Sequence, residues 1–205
     1  MFTNILLTDT KKVLNNFKKT NAQQDFYLSG GTGLALQIGH RESQDLDFFS
    51  EKDFDPELLQ AELAKISHLE NIQLDKGTLN CFIDNVKIQF LHYPYKLLEE
   101  KIEWEGIHIS SMLDIACTKL LTISSRGSKK DFIDLYFLLQ IYSLTFLFEK
   151  LEEKYTNSNY DKLHILKSLI YFEDADEQPT PRMHKEVRWE VVKKEIKKAV
   201  KDFKI

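Results

Sequence analysis

The chain has 205 residues, 42% of them hydrophobic, and a formal net charge of −4. That length suits one domain or two small ones, with ample apolar material for a packed core. The overall charge gives no sign of nucleic-acid binding, and two cysteines in unrelated contexts, Cys81 and Cys117, exclude a cysteine metal pattern and fit a reducing compartment.

The first residues, MFTNILLTDTKK, carry a short apolar patch with no basic region before it and no small-residue cleavage site, so no secretory signal is expected. Asp9 to Asn21 reads as an amphipathic helix with Val13, Leu14 and Phe17 on one side. Phe26-Tyr27-Leu28 reads as a strand. The run GGTGLALQIGHRESQDLDFF, Gly30 to Phe49, is the most informative stretch. Thr32 to His40 is expected to form a short helix, and Gln44 to Phe49 a second strand. Residues two apart on a strand share a face, so Asp45 and Asp47 project together while Leu46 and Phe48 face the core. Paired carboxylates repel unless a cation sits between them, and hard oxygen ligands of this kind suit Mg²⁺ bound together with substrate phosphates. Gly30 and Gly31 would let a phosphate approach the backbone, and the amides of a helix opening at Thr32 would favour its charge. A solvated strand end is the bland alternative for Asp45 and Asp47.

Asp55-Pro56-Glu57 is a helix start, with Asp as N-cap and Pro at the first helical position. Leu58, Leu59, Leu63 and Ile66 are assigned to its apolar face. Strands are expected at Ile72–Leu74, Leu79–Ile83 and Val86–His92, with Asp84-Asn85 as the turn between the last two. Pro94 ends that hairpin, and Ile102 to Ile109 is expected to add an edge strand. Helices follow. Ser111 with Asp114 fits a capping box opening a helix through Ile123, and Ser128 with Asp131 fits another opening a helix from Lys129 to Tyr142. The apolar run Phe132 to Phe148 is interrupted by Asp134, Gln140, Ser143 and Thr145, so no membrane span is expected. Ser143 caps a further helix to about Tyr155, and Asp161 to Phe172 and Glu186 to Phe203 complete the set. In the last, Trp189, Val192, Ile196, Val200 and Phe203 recur at helical spacing. Arg182 to Ile205 holds nine basic and four acidic residues, a local +5 that leaves −9 on the rest.

The glycine pair with a hydroxyl and Asp-x-Asp resembles the nucleotidyltransferase superfamily. GGTxLAL, GHRxSxDLDFF and KDFIDLYFLL are similar to the AbiEii/AbiGii-type toxins of bacterial abortive-infection and toxin–antitoxin systems, which are related to the MenT-type toxins. The likeness runs over nearly the whole chain, including YFEDADEQPTP and the tryptophan-bearing last helix. It implies an α+β fold, with a catalytic mixed sheet and helices over 1–110 and a helical bundle over 111–205 closing the active-site cleft. It implies Mg²⁺ on Asp45 and Asp47, an NTP substrate, and an RNA acceptor with the tRNA 3′ end as a candidate. A cognate antitoxin, cytoplasmic location and no membrane partner complete the expectation. Lys119, Asp131 and Lys130 fall on family active-site positions, with Lys119 serving nucleotide phosphates. Gly30, Gly31, Thr32, Arg41 and Arg126 are the remaining nucleotide-binding candidates, Arg41 because a guanidinium matches phosphate geometry. Bland alternatives stand beside several of these: an exposed helical lysine for Lys119, a helix cap for Asp131, a loop decoration for Arg126, and a helix C-terminal charge for Arg41. His40 reads as structural, and Ser43 as shaping a turn. Many superfamily members add a third carboxylate from a neighbouring strand, where Gln89 stands here. That departure puts a complete two-metal site in question and favours a non-catalytic nucleotide-binding module as an alternative; a small-molecule nucleotidyltransferase is the other enzymatic alternative. No Walker-type lysine follows the glycines.

Overall fold

The structure is a computed structural model that describes residues 1–156 and 158–204. A seven-stranded mixed sheet has the order β3-β4-β5-β2-β1-β7-β6. Its strands are β1 (Tyr27–Leu28), β2 (Leu46–Ser50), β3 (Glu70–Asp75), β4 (Thr78–Ile83), β5 (Val86–His92), β6 (Ile102–Trp104) and β7 (Ile107–Ile109). Short β1 and β2 pair antiparallel, with helix α2 (Gly30–Ile38) spanning the link between them. β2 runs parallel to β5, so Asp47 lies opposite Gln89. One face of this centre carries Leu46, Phe48, Ile88 and Phe90, all at most 2% exposed. Phe48 and Phe90 stack, and Phe17 of α1 (Thr8–Phe17) closes over both.

The second core lies among the helices α4 (Met112–Ser125), α5 (Lys129–Leu138), α6 (Leu144–Lys154), α7 (Lys162–Ser168), α8 (Glu173–Asp176) and α9 (Trp189–Asp202). α2 joins the two cores, since Ala35 and Leu36 enter the sheet core while Leu34 and Ile38 enter the helical one. Local signals account for many boundaries. Asp55 accepts the Glu57 and Leu58 amides at the start of α3 (Pro56–Leu63). Ser143 caps α6 through the Phe146 amide. Asp84 and Asn85 both adopt positive φ, 48° and 62°, as a two-residue hairpin turn requires.

Several expectations need correction. The helix of the central stretch opens at Gly30, not Thr32, and ends at Gly39 with φ of 69°. Residues 102–109 form a hairpin, because Glu105 and Gly106 turn at positive φ; β6 alone is the edge, and β7 pairs with β1. Leu58 is 71% exposed, leaving Leu59 and Leu63 as the buried face of α3. α5 stops at Leu138, and α6 departs at 108° from it, which packs the apolar run into the helical core. Residues 161–172 do not stay one helix: α7 ends at Ser168, and α8 follows separately. α9 starts at Trp189 because the preceding strap gives its backbone to other partners. Arg182 accepts the Glu42 amide, and the His184 and Lys185 amides donate to the His40 carbonyl. Among the described residues no single helix is long and apolar enough to cross a membrane.

Leu120 of α4, fully buried in the helical core, is expected to cost about 2–5 kcal/mol when truncated to alanine. Leu58→Ser should stay within about 0.5 kcal/mol of the parent. Urea unfolding midpoints check both; comparable losses for the two would contradict the packing described.

Candidate active site

The carboxylates are placed by the β1-α2-β2 unit. The Ser29 amide donates to the Asp47 carbonyl at 2.8 Å, which folds the start of α2 back onto β2. Gly30 sits there with φ of 59°, and any side chain on it would collide with the Asp47 carboxylate. Both its conformation and its contact therefore require glycine. The Ser29 side chain does not cap α2; its hydroxyl accepts instead from Ser110. Thr32, fully buried, donates its hydroxyl to the Asp45 carbonyl and lies 2.7 Å from Ser43 Oγ. Asp45 stands just ahead of β2, and its carboxylate meets Lys130 Nζ at 3.1 Å, with both side chains 43% exposed. Burial pushes the Asp47 carboxyl above its ordinary range, and the neighbouring Asp45 adds to that, against the pull of Lys119, Arg126 and Lys130.

Beneath this pair lies a buried network of ions. Asp134 is fully buried and accepts from Arg41 Nε (2.7 Å) and a terminal guanidinium nitrogen (2.8 Å). Lys119 Nζ approaches it at 2.6 Å, and His40 Nε2 at 2.8 Å. Lys119 also reaches Asp131 at 2.6 Å, and Asp131 accepts from Ser128 Oγ (2.6 Å) and Arg126 Nε (3.2 Å). Burial alone would raise both aspartates. Arg41 and Lys119 outweigh it at Asp134 and hold that carboxyl well below the usual range, while Lys119 brings Asp131 below its ordinary value. Burial lowers His40 below its ordinary value, so its ring is neutral; with Asp134 ionised, Nε2–H is the donor and Nδ1 is left without a partner.

A cleft of about 470 Å³ opens between the sheet and α4. Its polar end is made by Gly30, Gly31, Asp47, Gln89, Lys119 and Arg126. Along the strands, the Phe49–Leu91 pair beyond Asp47–Gln89, followed by Tyr93 and Tyr95, makes an apolar and aromatic end. The size and the polarity gradient fit an elongated ligand with one charged end and one flat apolar end.

The structure thus gathers Gly30, Gly31, Asp47, Lys119 and Arg126 at one cleft and places Asp45 with Lys130 beside it. Asp131 lies behind the cleft wall, bound to Lys119 and Arg126. Its carboxylate serves these cations rather than a helix cap, and Ser128 makes no side-chain cap to the backbone. Two further candidates sit differently from expectation. Arg41 is 3% exposed and commits its fork to Asp134, and Thr32 is sealed under Asp45, so each acts by holding neighbours. Lys119 is no exposed helical lysine, at 4% exposure. Sequence reasoning missed Asp134 as the hub, although its i,i+3 relation to Asp131 placed it on the same helix face. It also missed Tyr93 and Tyr95, for which the isolated Tyr-Pro-Tyr was the available signal. Among the described residues no group of three or more His, Cys, Asp or Glu could hold a metal ion, and Gln89 stands beside Asp47 in strand register.

The chain is similar to known proteins over nearly its whole length. The family model described as "Nucleotidyl transferase AbiEii toxin, Type IV TA system" matches residues 12–105 and 96–204. An uncharacterized protein of Aquifex aeolicus is 39% identical over 204 residues, covering 97% of each chain. Among solved structures, the Helicobacter pylori protein JHP933 superposes with a TM-score of 0.54 at 18% identity, over 94% of this chain and 89% of that one. The nucleotidyltransferase toxin MenT4 of Mycobacterium tuberculosis gives 0.54 at 14% identity, over 97% and 87%. At these identities the solved structures establish a shared α+β fold.

Asp134→Asn should destabilise the fold by about 3–5 kcal/mol, since Arg41 and Lys119 would be left buried without their shared counter-charge. Because the folded Asp134 carboxyl lies below its unfolded value, its contribution is full above about pH 4 and is lost as pH falls toward the folded value. His40 also titrates lower when folded than its unfolded value of about 6.5, so its neutral state stabilises above that pH and protonation of the unfolded chain erodes stability below it. Urea midpoints at pH 7.5 and 5.5 should fall for the parent and fall less for His40→Gln.

Proposed function

The chain belongs to the AbiEii nucleotidyl transferase toxin family and is a nucleotidyltransferase, and from that premise we propose that it transfers a nucleoside monophosphate from an NTP to an RNA acceptor, with Mg²⁺, as the toxin of a bacterial toxin–antitoxin or abortive-infection system in the cytoplasm. Residues 1–110 supply the catalytic half, and residues 111–205 close the cleft and present Lys119. The tRNA 3′ end is the acceptor of first choice, and a cognate antitoxin is the partner that controls it. The acceptor hydroxyl attacks the α-phosphorus in line, the bond to the β-phosphate breaks, and pyrophosphate leaves.

The observation that carries this reading is the Asp47 carboxylate held against the Gly30 backbone at the start of α2, on the floor of the cleft. Phosphate approaching Gly30 and Gly31 meets first-turn amides that the Ser29 side chain leaves uncapped. Arg126 and Lys130, the two exposed cations beside the carboxylates, flank its path. Asp45, Asp47, Asp131 and Asp134 balance Arg41, Lys119, Arg126 and Lys130, so these residues offer no surplus positive charge to a triphosphate. The hard oxygen ligands of Asp45 and Asp47 fit a divalent cation, and the raised Asp47 carboxyl marks a charge short of compensation. Mg²⁺ on these two residues would neutralise charge that builds on the phosphates in the transition state. The aromatic end of the cleft supplies flat surfaces for the base.

One observation favours a second reading. Gln89 stands beside Asp47 in strand register, where a third carboxylate would complete the site. A module that binds nucleotide without turnover would keep everything else. Incubation of the protein with α-labelled NTPs, Mg²⁺ and total tRNA separates the possibilities: labelled RNA supports the reading, label on a small molecule alone identifies a small-molecule transferase, and binding without transfer identifies the module.

Asp45→Asn and Asp47→Asn should each abolish RNA labelling. Asp47→Asn should melt no lower than the parent without metal, because the change removes a charge that burial opposes. Full labelling by a folded double variant would remove these residues from the site. On α9, Lys194, Lys197 and Lys201 are exposed opposite buried Val192 and Ile196. If they meet the RNA backbone, replacing all three with Gln should weaken RNA binding and flatten its salt dependence by roughly 0.7–0.9 log units per lost contact. An unchanged slope leaves α9 a solvated face.

A further inference from the structure

The sheet holds the aromatic end of the cleft only in part: the Tyr93 amide donates to the Ser50 carbonyl at 2.7 Å, and the Tyr93 ring packs on Phe49 at 4.7 Å. Tyr93 and Tyr95 lie past the end of β5, at the start of the connection to β6. Two successive residues at the end of α6 secure that connection. Lys154 forms a buried ion pair with Asp114, the two side chains 1% and 2% exposed, and also donates to the Lys96 carbonyl at 3.4 Å. Tyr155, 2% exposed, bonds its hydroxyl to that of Tyr93, and its ring packs on Tyr95 at 4.7 Å. Asp114 completes the hold from α4. Besides the Ser111 hydroxyl at 2.8 Å, its carboxylate accepts the Leu98 amide at 3.0 Å and the Glu99 amide at 3.3 Å. A helix cap needs none of these loop contacts, nor a buried lysine. One turn along α4, Thr118 lines the cleft and lies 3.5 Å from the Tyr155 hydroxyl.

We propose that Asp114 and Lys154 are positioning residues that fix Tyr93 and Tyr95 as the wall against which the nucleoside part of the substrate packs, and so set nucleoside affinity independently of phosphate binding. The proposal deepens the nucleotidyltransferase reading and rests on it. Among the described residues no hydrogen bond or ion pair joins Asp114, Lys154 or Tyr155 to Gly30, Asp47 or Arg126. Buried ion pairs are poor sources of stability compared with apolar packing but hold one geometry, since either charge alone is costly to leave unpaired.

Calorimetric binding of NTP and of inorganic tripolyphosphate, each with Mg²⁺, tests this. Lys154→Met should weaken NTP binding by roughly tenfold, the scale of one lost base-stacking contact, and leave tripolyphosphate binding unchanged. Tyr155→Phe keeps the ring and removes the hydroxyl's bond to Tyr93 and its 3.5 Å contact with Thr118; it should shift the NTP-to-tripolyphosphate ratio the same way by a smaller factor, with a parent-like melting temperature. Lys154→Arg should recover most of the loss. In turnover the effect should fall on KM rather than kcat. An unchanged ratio in folded Lys154→Met and in Tyr155→Phe overturns the proposal. Parent protein that binds neither ligand overturns the nucleotidyltransferase reading itself, which keeps the two failures distinct.

Discussion

Asp134 is the constraint on which the site depends. It is fully buried on α5, and its partners come from two other places in the chain: His40 and Arg41 from the turn after α2, and Lys119 from α4. An isolated carboxylate there would cost several kcal/mol of desolvation. Only the fold that brings all three partners together relieves that cost. The same contact aims Arg41 at Gly31 and Lys119 at the cleft, so the buried hub fixes two walls of the site without facing a ligand itself. The strap at 182–185 reinforces it from outside by bonding its backbone to His40 and Glu42.

Much of the fold was legible because its signals are local. Asp55-Pro56, Ser111 with Asp114, Ser143 and Asp84-Asn85 each determine a boundary through bonds or dihedrals within four residues, and each stands where the sequence places it. The errors fall where local and distant forces compete. Gly30 and Gly31 look like a loop because glycine disfavours a helix, yet the Ser29–Asp47 backbone bond and the crowding at Asp47 recruit them into the first turn. Glu186 to Arg188 have helical spacing but follow a strap that gives its amides to His40. Leu58 has the right period for a buried face, but α3 covers the sheet with Leu59 and Leu63 alone.

The sequence places Asp45 and Asp47 on one strand face, whereas β2 begins at Leu46, so Asp45 stands just ahead of the strand and meets Lys130. The roles of Arg41 and Thr32 were not legible, because a sequence shows that a guanidinium is present and not which carboxylate it finds 93 positions away. The same limit hides the aromatic wall, whose Tyr93 and Tyr155 are 62 positions apart.

The two ends of the cleft therefore rest on different physics. The carboxylate end is built of backbone: a positive-φ glycine, a helix N-terminus and a strand register that sets Asp47 beside Gln89. Such a frame can move little without breaking sheet hydrogen bonds. At the aromatic end, Tyr93 and Tyr95 stand on a connection beyond β5, tied to β2 by the Tyr93–Ser50 backbone bond and fastened from the helical side through Asp114, Lys154 and Tyr155. A scaffold divided in this way fixes its carboxylate end through the backbone and its aromatic end through a few side chains.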